Sequence, residues 1–168
     1  PFTTVEPVLG VVRVGQDDFV MMEVPGLLEG AHEGIGLGHE FLRHAERARL
    51  YVHMLDGLSE DPVNDYRMIN EELEQFNREM AEKRQLVVVN KLDVTEVREL
   101  REDIDTCLRK AVGDPAVPIT FISAATGEGV PQLLGTMVEY LAVANAEDRE
   151  SEPEVAITQK PVRQAAPE

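Results

Sequence analysis

Four consecutive residues, Asn90-Lys91-Leu92-Asp93, carry side chains that could recognise a purine base. They follow residues 85–89, which contain the unbroken apolar run Leu-Val-Val-Val, typical of a strand that is buried on both faces of a parallel sheet. The Asp93 carboxylate could accept hydrogen bonds from guanine N1–H and from the exocyclic amine, whereas adenine offers neither donor. An unsatisfied buried carboxylate costs on the order of 1–3 kcal/mol or more. The motif therefore predicts guanine preference, with Asn90 bonding the purine edge or bracing a loop and the Lys91 stem covering the base.

A second pair of residues, Ser123 and Ala124, follows the next predicted buried strand at residues 119–122. Taken alone, the Asn-Lys-Leu-Asp stretch is equally typical of an exposed turn with a helix-capping aspartate. The Ser-Ala pair favours the guanine interpretation, because small residues let a backbone N–H group reach the guanine oxygen. We therefore expect these two loops to form one base-binding site.

A glycine-rich stretch between Glu23 and Gly38 follows a predicted strand and contains five glycines from position 26 onward. Glycine permits positive φ and lets the backbone approach a ligand closely, so this stretch predicts a nucleotide-sensing loop. Its end, residues 34–38, could also suggest a dinucleotide-binding fingerprint, but the full glycine spacing of that motif is missing.

Strands and helices are predicted to alternate around these loops. The predicted strands are 9–14 and 18–24 (a hairpin), 50–55, 85–89 and 119–122. The first predicted helix starts near 41, and the second starts at 62 with Asp61 as cap and has an apolar face that continues to Met80. The third runs from Thr95, its cap, to about 111, and the last runs from 130 to about 146. This order predicts an α/β fold with a mostly parallel sheet, helices on both faces and the hairpin as an antiparallel edge. Ligands of such sheets bind at the carboxyl ends of the strands, where the three unusual loops begin.

Composition predicts one domain, residues 1–146, followed by an acidic, proline-containing linker or disordered tail at residues 147–168. The net charge of −16 argues against unaided binding to nucleic acid, including sequence-specific binding to DNA. No apolar run reaches the roughly 18 residues that a membrane span requires. The single cysteine, Cys107, fits a reducing cytoplasm, and we expect its side chain on the inner face of a helix.

A Thr-Thr loop, a Glu-Val-Pro-Gly loop, Asn-Lys-Leu-Asp and Ser-Ala, in this order, resemble the GTPase domain of the translation-factor-like class. The sequence of residues 1–49 resembles the Obg family of ribosome-assembly GTPases. The resemblance is clearest in Pro-Phe-Thr-Thr and in Gly-Leu-Leu-Glu-Gly-Ala-His-Glu-Gly-Ile-Gly-Leu-Gly-His-Glu-Phe-Leu-Arg-His. The resemblance covers roughly residues 1–145. It implies a P-loop NTPase-like fold and a GTP/GDP-binding, Mg²⁺-dependent switch whose partner is a ribosomal subunit or an assembly intermediate.

The resemblance also implies roles for individual residues. Thr4 would be the mobile-loop hydroxyl that ligates Mg²⁺ in the presence of the γ-phosphate, with Thr3 beside it, and Gly26 would sense the γ-phosphate through its backbone N–H. Asn90, Lys91, Asp93, Ser123 and Ala124 would bind the base. Leu27 stands where many GTPases carry a water-orienting glutamine, which implies slow intrinsic hydrolysis, so no residue is assigned as catalytic.

The chain departs from the family pattern in two ways. Glu23 stands where the family has aspartate, which places a longer carboxylate near the Mg²⁺ that it would help to hold. The chain also contains no Gly-x-x-x-x-Gly-Lys-Ser/Thr phosphate cradle, and truncation before Pro1 is the expected explanation. We therefore expect the isolated chain to be inactive in hydrolysis and to bind GTP weakly at best. The alternative is a non-catalytic, degenerate GTPase-fold interaction module.

Overall fold

The computed structural model describes residues 8–23 and 45–151. Within these ranges the strands are β1 (Val8–Val14), β2 (Asp17–Glu23), β3 (Tyr51–Asp56), β4 (Gln85–Asn90) and β5 (Ile119–Phe121). The helices are α1 (Pro62–Phe76), α2 (Arg78–Ala81), α3 (Thr95–Glu99), α4 (Arg101–Val112) and α5 (Val130–Ser151).

Three parallel strands form the central sheet in the order β3-β4-β5. The middle strand, β4, is buried from Gln85 to Val89, as its unbroken apolar sequence predicts. Tyr51 pairs with Gln85 at one end of the sheet, and Asp56 pairs with Asn90 at the other. The carboxyl ends of β3 and β4 therefore lie side by side.

Helices cover both faces of this sheet. On one face, α1 and α4 pack over a core that includes Leu55, Val89 and Leu108. On the other face, α5 packs over a core that includes Val88 and Leu133. The prediction of an α/β fold with a mostly parallel sheet and helices on both faces is confirmed for the described part of the chain.

The predicted position of the hairpin is wrong in one respect. β1 and β2 pair antiparallel around a turn in which Gly15 has φ +63°, but they form a separate two-stranded sheet. Within the described ranges, side chains rather than a backbone ladder join the hairpin to the rest of the protein. Phe19 packs against the α5-side core and Met22 against the cluster around Leu73 and Met80.

Three helix boundaries differ from the predictions. The apolar face predicted to continue to Met80 is broken at Asn77, whose extended backbone and side chain cap α2. Thr95 does not cap α3, because Val94 occupies the cap position and makes no side-chain cap bond. The last helix reaches Ser151 rather than residue 146, and residues 152–168 lie outside the described residues.

Cys107 is exposed on α4, contrary to the prediction that it faces inward. Leu108 occupies the fully buried position instead, and Ile104, one turn earlier, packs against the same core.

None of the helices in the described ranges is both long enough and apolar enough to cross a membrane.

Candidate guanine-binding site

The two base-binding motifs lie together at the carboxyl edge of the sheet. Asn90 ends β4, and Ser123 lies two residues after β5. Asn90 Oδ1 accepts a hydrogen bond from the Ala124 backbone N–H at 2.9 Å, and the Leu92 N–H donates to the Ile122 carbonyl at 2.9 Å. The predicted bracing of the second loop by Asn90 is therefore present, and the two motifs form one unit.

A second hydrogen bond orients the predicted base-reading carboxylate. Ser123 is fully buried, and its hydroxyl donates to Asp93 Oδ1 at 2.6 Å. The same hydroxyl oxygen accepts the Thr126 backbone N–H at 3.1 Å. Asp93 itself is exposed, so its carboxylate is held in one orientation while remaining open to a ligand.

Glycines shape the loop that carries Ser123 and Ala124. Gly127 has φ +82° and donates its N–H to the Ser123 carbonyl at 2.8 Å. Gly129 has φ +76°, and a Cβ atom there would lie 2.5 Å from the Phe121 carbonyl oxygen. Both positions need glycine, because an L side chain would be strained at each positive φ and would also collide with the backbone at Gly129.

An ion pair that sequence reasoning missed joins the two motifs from outside. Arg98, on α3 directly after the first motif, bonds both carboxylate oxygens of Glu128 in the loop, at 3.2 and 2.7 Å. The hydrogen bonds from Arg98 lower the pKa of Glu128, although both groups are exposed to solvent. Two charged residues on exposed surfaces give no periodic signal, so only their approach across 30 positions reveals the contact.

A further contact connects the site to β3. Lys91 Nζ bonds Asp56 Oδ2 at 2.7 Å, and the Gly57 N–H donates to the Asn90 carbonyl at 3.1 Å. The pKa of Asp56 is lowered, first by the hydrogen bond from Lys91 and then by the one from the Leu58 N–H. Sequence reasoning ended this strand at residue 55 and did not assign Asp56 to the site.

Of the predicted phosphate- and metal-binding residues, only Glu23 lies within the described ranges. Glu23, exposed at the end of β2, is paired with Val8. Thr3, Thr4, Gly26 and the glutamine-replacing Leu27 lie outside the described residues, as does the remainder of the glycine-rich stretch.

Elsewhere in the described ranges, no group of three or more histidine, cysteine, aspartate or glutamate residues could hold a metal ion. A carboxylate such as Glu23 and a threonine hydroxyl are hard oxygen donors of the type that Mg²⁺ accepts.

Comparison with known proteins identifies GTPases as relatives of this chain. Residues 1–91 match a family described as 50S ribosome-binding GTPase. GTPase Obg from Dehalococcoides mccartyi (strain ATCC BAA-2266 / KCTC 15142 / 195) is 46% identical over 148 residues, which cover 88% of this chain and 34% of that protein. GTPase Obg from Geobacillus kaustophilus is 48% identical over 145 residues, which cover 83% of this chain and 32% of that protein. The chain spans about a third of the length of these relatives.

A solved structure shares the fold. Era, crystallised with MgGDPNP and a segment of 16S ribosomal RNA, superposes with a TM-score of 0.61 at 24% identity. The match covers 80% of this chain and 44% of Era. This likeness confirms the predicted P-loop NTPase-like fold.

Proposed function

Because this chain belongs to the family of 50S ribosome-binding GTPases, and within it is of the Obg type, we propose that it binds GTP and GDP through the carboxyl edge of its sheet. The observation that carries the proposal is the joining of its two base motifs. Asn90 Oδ1 accepts the Ala124 N–H, and the Ser123 hydroxyl donates to the Asp93 carboxylate, so the residues suited to guanine converge at one place.

The hydrogen-bond pattern gives each residue a part in recognition. Asp93 has one oxygen held by Ser123 and is exposed, so it can accept the two donors on the guanine edge. The Asn90 amide oxygen faces the loop, which leaves its NH₂ group as a donor for a purine acceptor. The apolar stem of Lys91 can lie against the base. Adenine would leave Asp93 without donors, which is the physical basis of selectivity.

The phosphate end of the proposal depends on the resemblance. Thr4 and Glu23 would hold Mg²⁺, Thr3 would lie beside that site, and Gly26 would respond to the γ-phosphate. When bound, Mg²⁺ would neutralise charge on the phosphates. We propose that the parent protein hydrolyses GTP and works as a switch in ribosome assembly in the cytoplasm, with a ribosomal subunit or an assembly intermediate as partner.

Nucleotide titration followed by NMR tests the base site directly. The chain should respond to GDP much more strongly than to ADP, with shifts at the Asp93 and Ala124 amides. Asp93→Asn should reduce the GDP-over-ADP preference by about ten-fold or more, because an amide offers one acceptor where the carboxylate offers two. The same variant should gain affinity for xanthosine diphosphate, whose base carries an oxygen in place of the exocyclic amine.

Asp105→Asn is the matched control, since it also replaces one aspartate by asparagine, on α4, where Asp105 pairs with Arg109. Equal binding of GDP and ADP by the unsubstituted chain, or an unchanged preference in Asp93→Asn, would contradict the proposal. Either result would favour a non-catalytic interaction module.

A further inference from the structure

We propose that Asp56, at the end of β3, is a positioning residue for guanine nucleotides that acts by holding Lys91 across the site. This inference rests on the proposed function and deepens it. It adds the end of a third strand to a site that the sequence motifs place on two.

The two oxygens of the Asp56 carboxylate have separate contacts. Oδ1 accepts the Leu58 backbone N–H at 2.9 Å, while Oδ2 accepts Lys91 Nζ at 2.7 Å. The first contact fixes the carboxylate to its own turn, so the second can fix the lysine. Asp56 is thereby an anchor whose position is set locally, independently of the lysine that it holds.

The backbone of Lys91 aims its side chain toward this anchor. Lys91 has φ +71°, the single positive φ of a non-glycine residue in the described ranges. Lysine rarely adopts this left-handed conformation, so the surrounding contacts must maintain it. Asn90 and Asp93 contact residues that follow β5, whereas Lys91 reaches back to β3. The motif thus spreads its side chains over the ends of all three parallel strands.

Gly57 fixes the distance between the anchor and the motif. Its N–H donates to the Asn90 carbonyl, and a Cβ atom at this position would lie 2.5 Å from that oxygen and 2.6 Å from Val97 Cγ1. The turn after β3 is therefore packed directly against the backbone of the base motif. Asp56 cannot move relative to Lys91 without moving this turn.

The exposure of the pair indicates that its role concerns binding more than folding. The side chains of Lys91 and Asp56 are 43% and 48% exposed, and ion pairs of this kind contribute little to stability. A free lysine side chain, however, samples many rotamers, and ordering it lowers the affinity of any ligand that needs its stem in one place. By ordering the stem in advance, Asp56 removes that loss.

The experiment compares GDP affinities of four variants of this chain by NMR titration, with Asp105→Asn as the control for the change of charge. Asp56→Asn keeps Oδ1 for the Leu58 N–H but loses the ion pair, and we expect about two- to five-fold weaker GDP binding than in the control. Lys91→Met should have a similar effect. In the Lys91→Met background, Asp56→Asn should cause no further loss, because Asp56 acts only through Lys91. A purely structural role would give additive losses.

The titrations distinguish failure of the proposed function from failure of the inference about Asp56. No GDP binding by the unsubstituted chain refutes the proposed function and this inference together. GDP binding with Asp56→Asn equal to Asp105→Asn, or with additive losses in the double variant, overturns this inference alone. Should Asp56→Asn fail to fold, Asp56→Glu retains the charge and is expected to bind within about two-fold of the unsubstituted chain. A loss in Asp56→Glu as large as that in Lys91→Met would overturn the inference.

Discussion

The buried histidine of β3 makes the stability of the fold dependent on pH. His53 is 4% exposed, lies under α1 and contacts the Tyr66 ring at a centroid distance of 5.5 Å. Neither ring nitrogen has a hydrogen-bond partner in the part of the chain that the structure describes. Burial lowers the pKa of His53 from 6.5 to about 4, because a charged imidazolium would lose its hydration there. The folded protein therefore keeps this residue neutral.

The sign and size of the effect follow from linkage between protonation and folding. As the pH falls below 6.5 the unfolded chain binds a proton at His53 before the folded chain does, so the free energy of unfolding decreases. The decrease continues until the pH reaches the folded pKa of about 4, below which both states are protonated. The difference between the two pKa values corresponds to about 3 kcal/mol. This contribution is fully present above pH 6.5 and absent below about pH 4.

Urea unfolding between about pH 4 and pH 7.5 measures this contribution, with His53→Leu as the comparison. The difference in unfolding free energy between the two proteins should change by about 3 kcal/mol over this range, because other titrating groups affect both alike. The folded-state pKa of His53 can be read independently by NMR. A difference that stays constant with pH, or an NMR pKa near 6.5, would refute the reasoning.

Two further substitutions test packing. Gly57→Ala should lower the free energy of unfolding by about 1–3 kcal/mol, since its methyl group meets the Asn90 carbonyl and Val97, and unchanged stability in urea would contradict this close packing. Leu108→Ala should cost about 2–5 kcal/mol in the same assay, whereas the adjacent exposed Cys107→Ala should stay within about 0.5 kcal/mol. Equal losses for these neighbours would mean that α4 presents a different face to the sheet.

Local patterns explain why much of the fold was predictable. The unbroken apolar run of β4 can only be buried on both faces, and it is. Asp61 was predicted to cap α1, and its carboxylate accepts the Asn64 N–H at 2.9 Å. In both cases the residues that decide the structure are close in sequence, so the sequence contains the physical cause.

Two errors concern the helices that follow the first base motif. The prediction treated residues 95–111 as one continuous helix, but the backbone departs from helical geometry at Leu100. The inward face keeps its phase across this break, since Val97, Ile104 and Leu108 follow one another at spacings of seven and four residues. Cys107 falls outside this spacing and is exposed. The expectation for Cys107 rested on its residue type and did not use this spacing.

The site was predictable only as far as its motifs extend. Asn90, Asp93, Ser123 and Ala124 meet because parallel strands bring their carboxyl ends to one edge. The Arg98–Glu128 and Lys91–Asp56 pairs join exposed residues that are 30 and 35 positions apart. Charged residues on exposed surfaces have no periodicity that distinguishes a partner, so only the folded chain reveals these contacts.

The last helix has a mechanical consequence. α5 starts at Val130, whose N–H is bonded to Gly127 in the base-site loop, and its 22 residues make a rod about 33 Å long. Near its far end, Glu147 pairs with Arg84, which precedes β4 at the opposite edge of the sheet. One continuous helix therefore connects the base-site loop with the amino-terminal end of β4, and its two ends are held by separate contacts.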